Sequence, residues 1–521
     1  MNRLKMISQL EDRANAMWDV LVIGGGATGL GIAVDAATRG YRTLLLEQSD
    51  FAKGTSSRST KLIHGGVRYL AQGHLKLVME ALKERDLLLQ NAPHLVKQQH
   101  FIVPVYTWWD AFLYFCGLKL YDLLAGKHRL GTSAFIHKTE TLKALPSLKP
   151  QGLKGGIRYL DCQFDDSRLA LNLAQTAAAH GACVLNYMRV TGLQKNAQGH
   201  LCGVVAQDLE TGVKYKPMAK VVVNATGVFV DAILKMEQPQ AIPLVRPSQG
   251  VHLVVDRSFL PGSSALMIPK TSDGRVLFAV PWQGKLLLGT TDTPRTKPEL
   301  EPQALQHEVA FILKTAGNYL LRQPQPQDVL SVFAGLRPLA AHQGNSKATK
   351  EISRNYKIIL SGSNLATITG GKWTVYRKMA EDLLNTLIAA KLLPHRPCRT
   401  VNVPIHGATP TTKNRALSTY GADAAAIEEL MRHHPELAKR IHPAYTYTKA
   451  EIVWAARHEM ARTVEDVLAR RLRLLFLDAR AAIEAAPAIA RILARELQKD
   501  QDWADAQVNA FILQAQAYSL S

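Results

Sequence analysis

Gly24-Gly25-Gly26-Ala27-Thr28-Gly29 stands between two telling segments. Before it is a β-branched apolar run, Trp18-Asp19-Val20-Leu21-Val22-Ile23, and after it, at 30–37, a stretch of small apolar residues. Strand, then Gly-x-Gly-x-x-Gly, then a buried helix admits few folds. Gly24 permits the tight turn, Gly26 lets backbone approach a pyrophosphate, and Gly29 lets helix and strand pack closely. The helix N-terminus then offers N–H groups and a positive dipole end to phosphates. A second strand, 42–46, ends in Glu47, about 20 residues on, where an acid meets an adenosine ribose. That carboxylate repels a 2′-phosphate and so disfavours NADP. The pattern predicts an α/β, Rossmann-like dinucleotide domain and leaves FAD and NAD both open.

The net charge of +20 over 521 residues narrows the partners. The basic residues are spread along the chain and form no nucleic-acid module, so no nucleic acid is expected. An anionic membrane surface or an anionic substrate is the alternative. Five scattered cysteines without a C-x-x-C pair argue against a disulfide framework or zinc ribbon, and no metal site is expected. Residues 1–16 lack an apolar core, so no signal peptide is expected. No stretch has the ~20 apolar residues of a spanning helix.

Further on, 54–61 read as a polar loop and 74–91 as a helix. Helices are expected at 168–180, 304–321 and 374–391. Strands are expected at 183–188, 202–207, 219–224 and 356–360. Between 242 and 295, apolar runs at 251–255, 276–280 and 285–289 alternate with turns, the mark of an antiparallel sheet. A Pro-rich stretch, 394–404, precedes an Ala-, Arg- and Leu-rich region with helical spacing at 423–440, 448–475 and 478–499.

Several segments together resemble one family. They are the Gly24–Gly29 fingerprint, Gly54-Thr55-Ser56-Ser57-Arg58-Ser59-Thr60-Lys61, and Leu62-Ile63-His64-Gly65-Gly66-Val67-Arg68-Tyr69-Leu70. Asn224-Ala225-Thr226-Gly227, Gly289-Thr290-Thr291-Asp292-Thr293, Leu336-Arg337-Pro338, Ile352-Ser353-Arg354-Asn355 and Gly370-Gly371-Lys372-Trp373-Thr374-Val375-Tyr376-Arg377 complete the set. The chain resembles the FAD-dependent, quinone-linked glycerol-3-phosphate dehydrogenases from about residue 18 through its C-terminal helices. The serine-rich run ending in His-Gly-Gly-Val-Arg-Tyr-Leu is the most specific piece; the Ala-Thr-Gly piece is shared with many flavoproteins. The resemblance implies an FAD-binding domain over 17–395 with an interleaved substrate domain, its sheet at about 242–345. A C-terminal helical domain over 396–521 follows.

It also implies how FAD would be held. The fingerprint (Gly24, Gly26, Gly29) takes the pyrophosphate and Glu47 the adenine ribose. Thr55, Ser56, Ser57, Thr60 and Lys61 serve the middle of the cofactor, with Gly227 returning beside it. Gly371, Lys372 and Thr374 face the flavin ring. The implied substrate is sn-glycerol 3-phosphate, oxidised to dihydroxyacetone phosphate by hydride transfer to flavin N5. Arg337, Arg354 and Lys372 would grip its phosphate, since guanidinium groups bind phosphate bidentately. Arg68 would complete the clamp or orient the hydroxyls, and Lys372 is equally suited to the flavin ring. His64 and His252 are both candidates for the base. Asp292 would order the region or cap a turn.

Electrons would pass to membrane quinone. The aromatic segment 107–125 is too short and too charged to span a bilayer and suits an interfacial position. Asp110, Lys119 and Asp122 do not share one helical face, so a buried protein contact is the competing reading. With no calcium loop at the C-terminus and no Arg-rich leader, the cytoplasmic face of a bacterial inner membrane is expected, and a homodimer is compatible with the sequence. A soluble oxidase using oxygen, and a non-catalytic flavin-binding subunit, are the alternatives.

Overall fold

The computed structural model describes residues 1–12, 17–70, 73–340, 355–409 and 416–520, the side chain of Arg68 excepted. Its first sheet is built around the fingerprint. Met17–Ile23 lies between Met218–Asn224 and Thr43–Leu46, parallel to both, and Cys183–Leu185 extends the sheet beside Thr43–Leu46. The four strands are largely buried, as expected of parallel strands covered on both faces. Ala27–Thr38 and Asp166–Ala179 pack together, and Tyr376–Ala389 lies against Ala27–Thr38. Contact is close because residue 31 is glycine: a Cβ there would sit 2.7 Å from the Tyr376 ring. Leu365–Thr369 adds in parallel to Met218–Asn224, delivering the Gly370–Gly371 turn to the same end of the sheet as the fingerprint.

The second sheet has ten strands among the described residues. Its centre is Val245–Asp256, paired antiparallel with Val329–Ala340 on one side and Lys285–Gly289 on the other. Leu277–Trp282 and Ala265–Ile268 follow. The sheet does not stop at the 242–345 segment expected from sequence. Ala265–Ile268 pairs with Val96–Val105, which continues through Gly155–Phe164 to Leu62–Ile63, so the strand before His64 is also part of it. One continuous sheet thus joins the cofactor loop to the strands carrying His252 and Arg337.

The C-terminal region is helical, but 448–475 is not one helix. Lys449–His458 ends near Met460, at φ 55°, and a π-helical turn over Asp466–Arg471 gives way at Arg473, at φ 65°. These breaks turn three arginines inward. Arg470 and Arg471 pair with buried Asp50, and Arg473 with buried Asp166. Buried charges persist only when paired, so this network ties the C-terminal helices to the nucleotide-binding half.

Trp108–Ala125 is a helix, N-capped by Thr107. Ala111, Leu118, Tyr121 and Ala125 are buried. The outer residues are unusually apolar: Trp108 is 64% exposed, Trp109 71%, Phe112 62% and Leu123 75%. The charges that blurred the sequence pattern are locally engaged. Asp110 binds the Thr107 hydroxyl, Asp122 accepts from the Ser133 backbone and hydroxyl, and Lys119 lies over Phe115. No helix among the described residues is long and apolar enough to cross a membrane.

Candidate active site

The turn after Met17–Ile23 is built as the glycines require. Gly24 has φ 109°, and a Cβ at Gly29 would lie 1.9 Å from the Gly24 carbonyl oxygen. Gly29 therefore serves packing and does not line the cavity above the turn. Glu47 accepts hydrogen bonds from the backbone of Gly25 (2.6 Å) and Ser49 (2.8 Å). Burial raises its pKa, against the pull of those two bonds. Ser56 Oγ accepts from the Ala27 backbone at 2.9 Å, so the polar loop closes onto the helix N-terminus.

A cavity of about 470 Å³ begins here. Gly24, Gly26 and Glu47 line one part, Thr55, Ser56 and Thr60 another. Gly227 and, from the far strand, Gly371, Lys372 and Thr374 complete it, with His64, His252 and Arg337 at its border. Gly370 and Gly371 both have positive φ, which presents bare backbone. These residues fit FAD: an open lane over the glycine turn, a carboxylate at one end and glycine backbone at the other. Side chains in place of the glycines would obstruct it.

Two of the expected cofactor residues need correction. Lys61 is fully buried and lines neither cavity; its Nζ lies 2.7 Å from Asp166 and donates to the Ser57 carbonyl at 2.7 Å. The Ser57 carbonyl also accepts from Arg473 at 2.9 Å. Burial pushes the Asp166 carboxyl up, but Lys61 and Arg473 hold it below the usual carboxylate range. Ser57 and Lys61 therefore brace the loop from behind, Lys61 doing so from a backbone at φ 62°.

A second, smaller cavity of about 160 Å³ shares Thr60, Leu62, His64, Tyr69 and Arg337 with the first. Its lining combines the charged residues Asp161, Arg275, Asp292 and Arg337 with Phe101, Tyr159, Met267 and Phe278. Arg337 lies across Gly250, where a Cβ would collide with its guanidinium at 2.3 Å. It donates to Gln249 O (3.3 Å) and Thr290 Oγ1 (3.2 Å) and lies 3.7 Å from Asp292. Asp292 also accepts from Ser248. Lys372 Nζ stands 3.6 Å from the centroid of the Tyr69 ring.

His252 sits inside the second sheet, on Val245–Asp256. Its register partners are Gly289 and Phe333. Glycine is required at 289, since a Cβ would be 2.3 Å from the imidazole. The ring stacks on Phe333 at 5.0 Å and its Nε2 lies 2.9 Å from Thr60 Oγ1. Burial, then Lys61 and Arg337, push its pKa well below the ordinary value. His64 is nearby, its backbone against Thr374. Arg354 lies outside the described residues. Arg68 falls on the short Val67–Leu70 helix, and its side chain lies outside them too.

Sequence reasoning missed Arg275, Tyr69 and the Arg470–Arg473 brace. The available signal was three arginines within four positions of an otherwise apolar run.

Comparison with known proteins agrees with this geometry. Residues 19–377 match the FAD dependent oxidoreductase family, and residues 354–504 match the C-terminal domain of alpha-glycerophosphate oxidase. The mitochondrial glycerol-3-phosphate dehydrogenase of Homo sapiens is 41% identical over 93% of this chain and 71% of its own length. That of Arabidopsis thaliana is 40% identical over 93% and 83%. Among solved structures, glycerol-3-phosphate dehydrogenase from Bacillus halodurans complexed with FAD is 30% identical. It superposes with a TM-score of 0.80 over 100% of this chain and 98% of that one. A cofactor lane over the glycine turn, an adjoining chamber bordered by Arg275 and Arg337, and these relatives place the chain in the FAD-dependent glycerol-3-phosphate dehydrogenase family.

Proposed function

We infer that the protein oxidises the secondary alcohol of sn-glycerol 3-phosphate to the ketone of dihydroxyacetone phosphate and delivers the electrons to membrane quinone. The observation that carries this reading is the pair of adjoining cavities, one fit for FAD and bordered by His64 and His252, the other sharing His64 and Arg337 with it and bordered also by Arg275. FAD, when bound, supplies the two-electron acceptor.

The residues of the chain do the rest. Arg337 supplies a forked, permanently charged donor for the phosphate, and Arg354 and Lys372 are assigned with it. Thr60 and Phe333 hold the His252 ring. A neutral imidazole in that position can take the proton of the reacting hydroxyl. His64 is the second candidate for that role. Arg68 is assigned to the substrate hydroxyls or the clamp. Thr55, Ser56 and Thr60 hold the middle of the cofactor and Gly371, Lys372 and Thr374 its ring end. Asp292, bound to Ser248 and beside Arg337, orients the guanidinium.

The exposed face of Trp108–Ala125 supports attachment to an anionic membrane surface, with aromatic rings at headgroup level. We place the protein peripherally on the cytoplasmic face of a bacterial inner membrane, and read 17–395 and 396–521 as its cofactor–substrate and helical units. Turnover tests the reading: holoenzyme with glycerol 3-phosphate and a quinone should form one dihydroxyacetone phosphate per quinol. Hydrogen peroxide at the same rate, with quinone untouched, would make it an oxidase instead.

A further inference from the structure

The smaller cavity is bordered by a second arginine that the clamp described above does not include. Arg275 ends a tight turn that opens the strand Leu277–Trp282. Thr271 fixes that turn: its backbone donates to Arg275 O (2.9 Å), and its hydroxyl accepts from the Arg275 backbone at 3.1 Å. Asp273 holds one edge of the guanidinium, accepting from Nε at 2.7 Å and also from Nη2. The remaining nitrogen, Nη1, is buried and has no hydrogen-bond partner among the described residues.

The register shows where this arginine stands. Phe278, Gly289, His252 and Phe333 are aligned partners across four strands. Arg275 precedes the first of these strands, Asp292 follows the second, and Arg337 lies four residues beyond Phe333 on the last, paired with Ser248. Arg275 and Arg337 therefore stand at the same end of the sheet, three strand spacings apart (roughly 14 Å between backbones), with Asp292 between them. Both border the one chamber. An arginine with one edge bonded to a carboxylate keeps its other edge for a second acceptor, and a guanidinium does not lose its charge.

We propose that Arg275 is a substrate-binding residue, meeting the phosphate of the substrate through Nη1 from the side opposite Arg337. The proposal rests on the reading that a phosphate monoester is the substrate. It assigns Asp273 as a positioning residue that aims the fork. Inorganic phosphate, carrying the same oxygens, should occupy the same place.

The test compares holoenzymes: wild type, Arg275→Gln, Arg275→Lys and Asp273→Asn. Measured are KM and kcat for glycerol 3-phosphate with a dye acceptor, Ki for inorganic phosphate, and FAD content. Arg275→Gln should raise KM and the phosphate Ki at least tenfold, kcat moving less and FAD content not at all. Arg275→Lys should recover only part, and Asp273→Asn should raise KM about threefold. KM and Ki within twofold of wild type in Arg275→Gln would overturn the proposal. If that variant fails to load FAD, Arg275→Lys decides, with values within twofold of wild type overturning it. Calorimetric titration of wild type and variant with inorganic phosphate separates the two readings. If wild type ignores glycerol 3-phosphate, the substrate assignment fails, while a tenfold loss of phosphate binding in the variant still supports Arg275 as an anion contact.

Discussion

His252 Nε2 lies 2.9 Å from Thr60 Oγ1, joining the long central strand of one sheet to the loop that closes over the cofactor lane. The bond fixes an imidazole at the border of the larger cavity, beside Thr60, which lines both. Behind it, Phe333 stacks on the ring, and Lys61 stands 5.1 Å from the centroid of Phe333. The base candidate is thus held by the same loop that the C-terminal arginines brace.

His252 should be neutral throughout the working range, because burial, Lys61 and Arg337 all disfavour its protonation. If it is the base, kcat/KM should show no acid limb near 6.5 from this group. His252→Asn should lower kcat by roughly 10²–10⁴-fold with little change in KM. An acid limb near 6.5 that vanishes in His64→Asn would move the role to His64. Stability has a definite sign here. The unfolded chain protonates this histidine below about 6.5 and the folded chain does not, so the group destabilises the fold as pH falls through that value. Urea unfolding at pH 5 and pH 8 should reveal the difference, and His252→Gln should shrink it.

Gly26→Val should abolish FAD loading while leaving the protein folded. The added side chain enters the cofactor lane, its Cβ only 3.0 Å from Ser56 Oγ. Gly29→Ala should do worse, losing stability as well, since its Cβ meets backbone. Flavin absorbance per protein and thermal melting separate the two. Full FAD content in Gly26→Val would displace the pyrophosphate from this turn.

Arg337→Ala should cost ~1.5–3 kcal/mol of transition-state binding, or roughly ten- to a hundred-fold in kcat/KM for glycerol 3-phosphate. Plain glycerol should be affected far less, so the ratio of the two activities is the readout. Arg337→Lys should rescue poorly, because a point charge does not reproduce the fork. An unchanged ratio would put the phosphate elsewhere.

Changing Trp108, Trp109, Phe112 and Leu123 to Ser should release the protein from anionic vesicles and slow quinone reduction, with activity towards a soluble dye kept. Wild-type binding should weaken as salt rises, because screening reduces the basic contribution. Vesicle binding unchanged in the quadruple variant would remove this helix from the membrane account.

What was legible in the sequence depended on range. The fingerprint turn was readable because its constraints are local: each glycine answers to a neighbour in the adjoining strand, helix or loop. The aromatic helix was readable as an element, but its exposed face was obscured by Asp110 and Asp122, whose bonds to Thr107 and Ser133 need coordinates to be seen. Lys61 was misassigned because its partner, Asp166, is distant in sequence. Val96–Val105 and Gly155–Phe164 escaped because both mix polar residues and a proline or glycines into the run. Arg275 was hidden for the opposite reason: nothing marks a lone arginine until the fold brings it to the same cavity as Arg337.

The central claim is that this protein passes a hydride from glycerol 3-phosphate to bound FAD. Its most direct test is the visible spectrum of the purified holoenzyme, kept free of oxygen, before and after glycerol 3-phosphate is added. The flavin band should bleach within the turnover time, and dihydroxyacetone phosphate should appear in a one-to-one ratio with FAD. A flavin band that stays oxidised in saturating glycerol 3-phosphate would contradict the account.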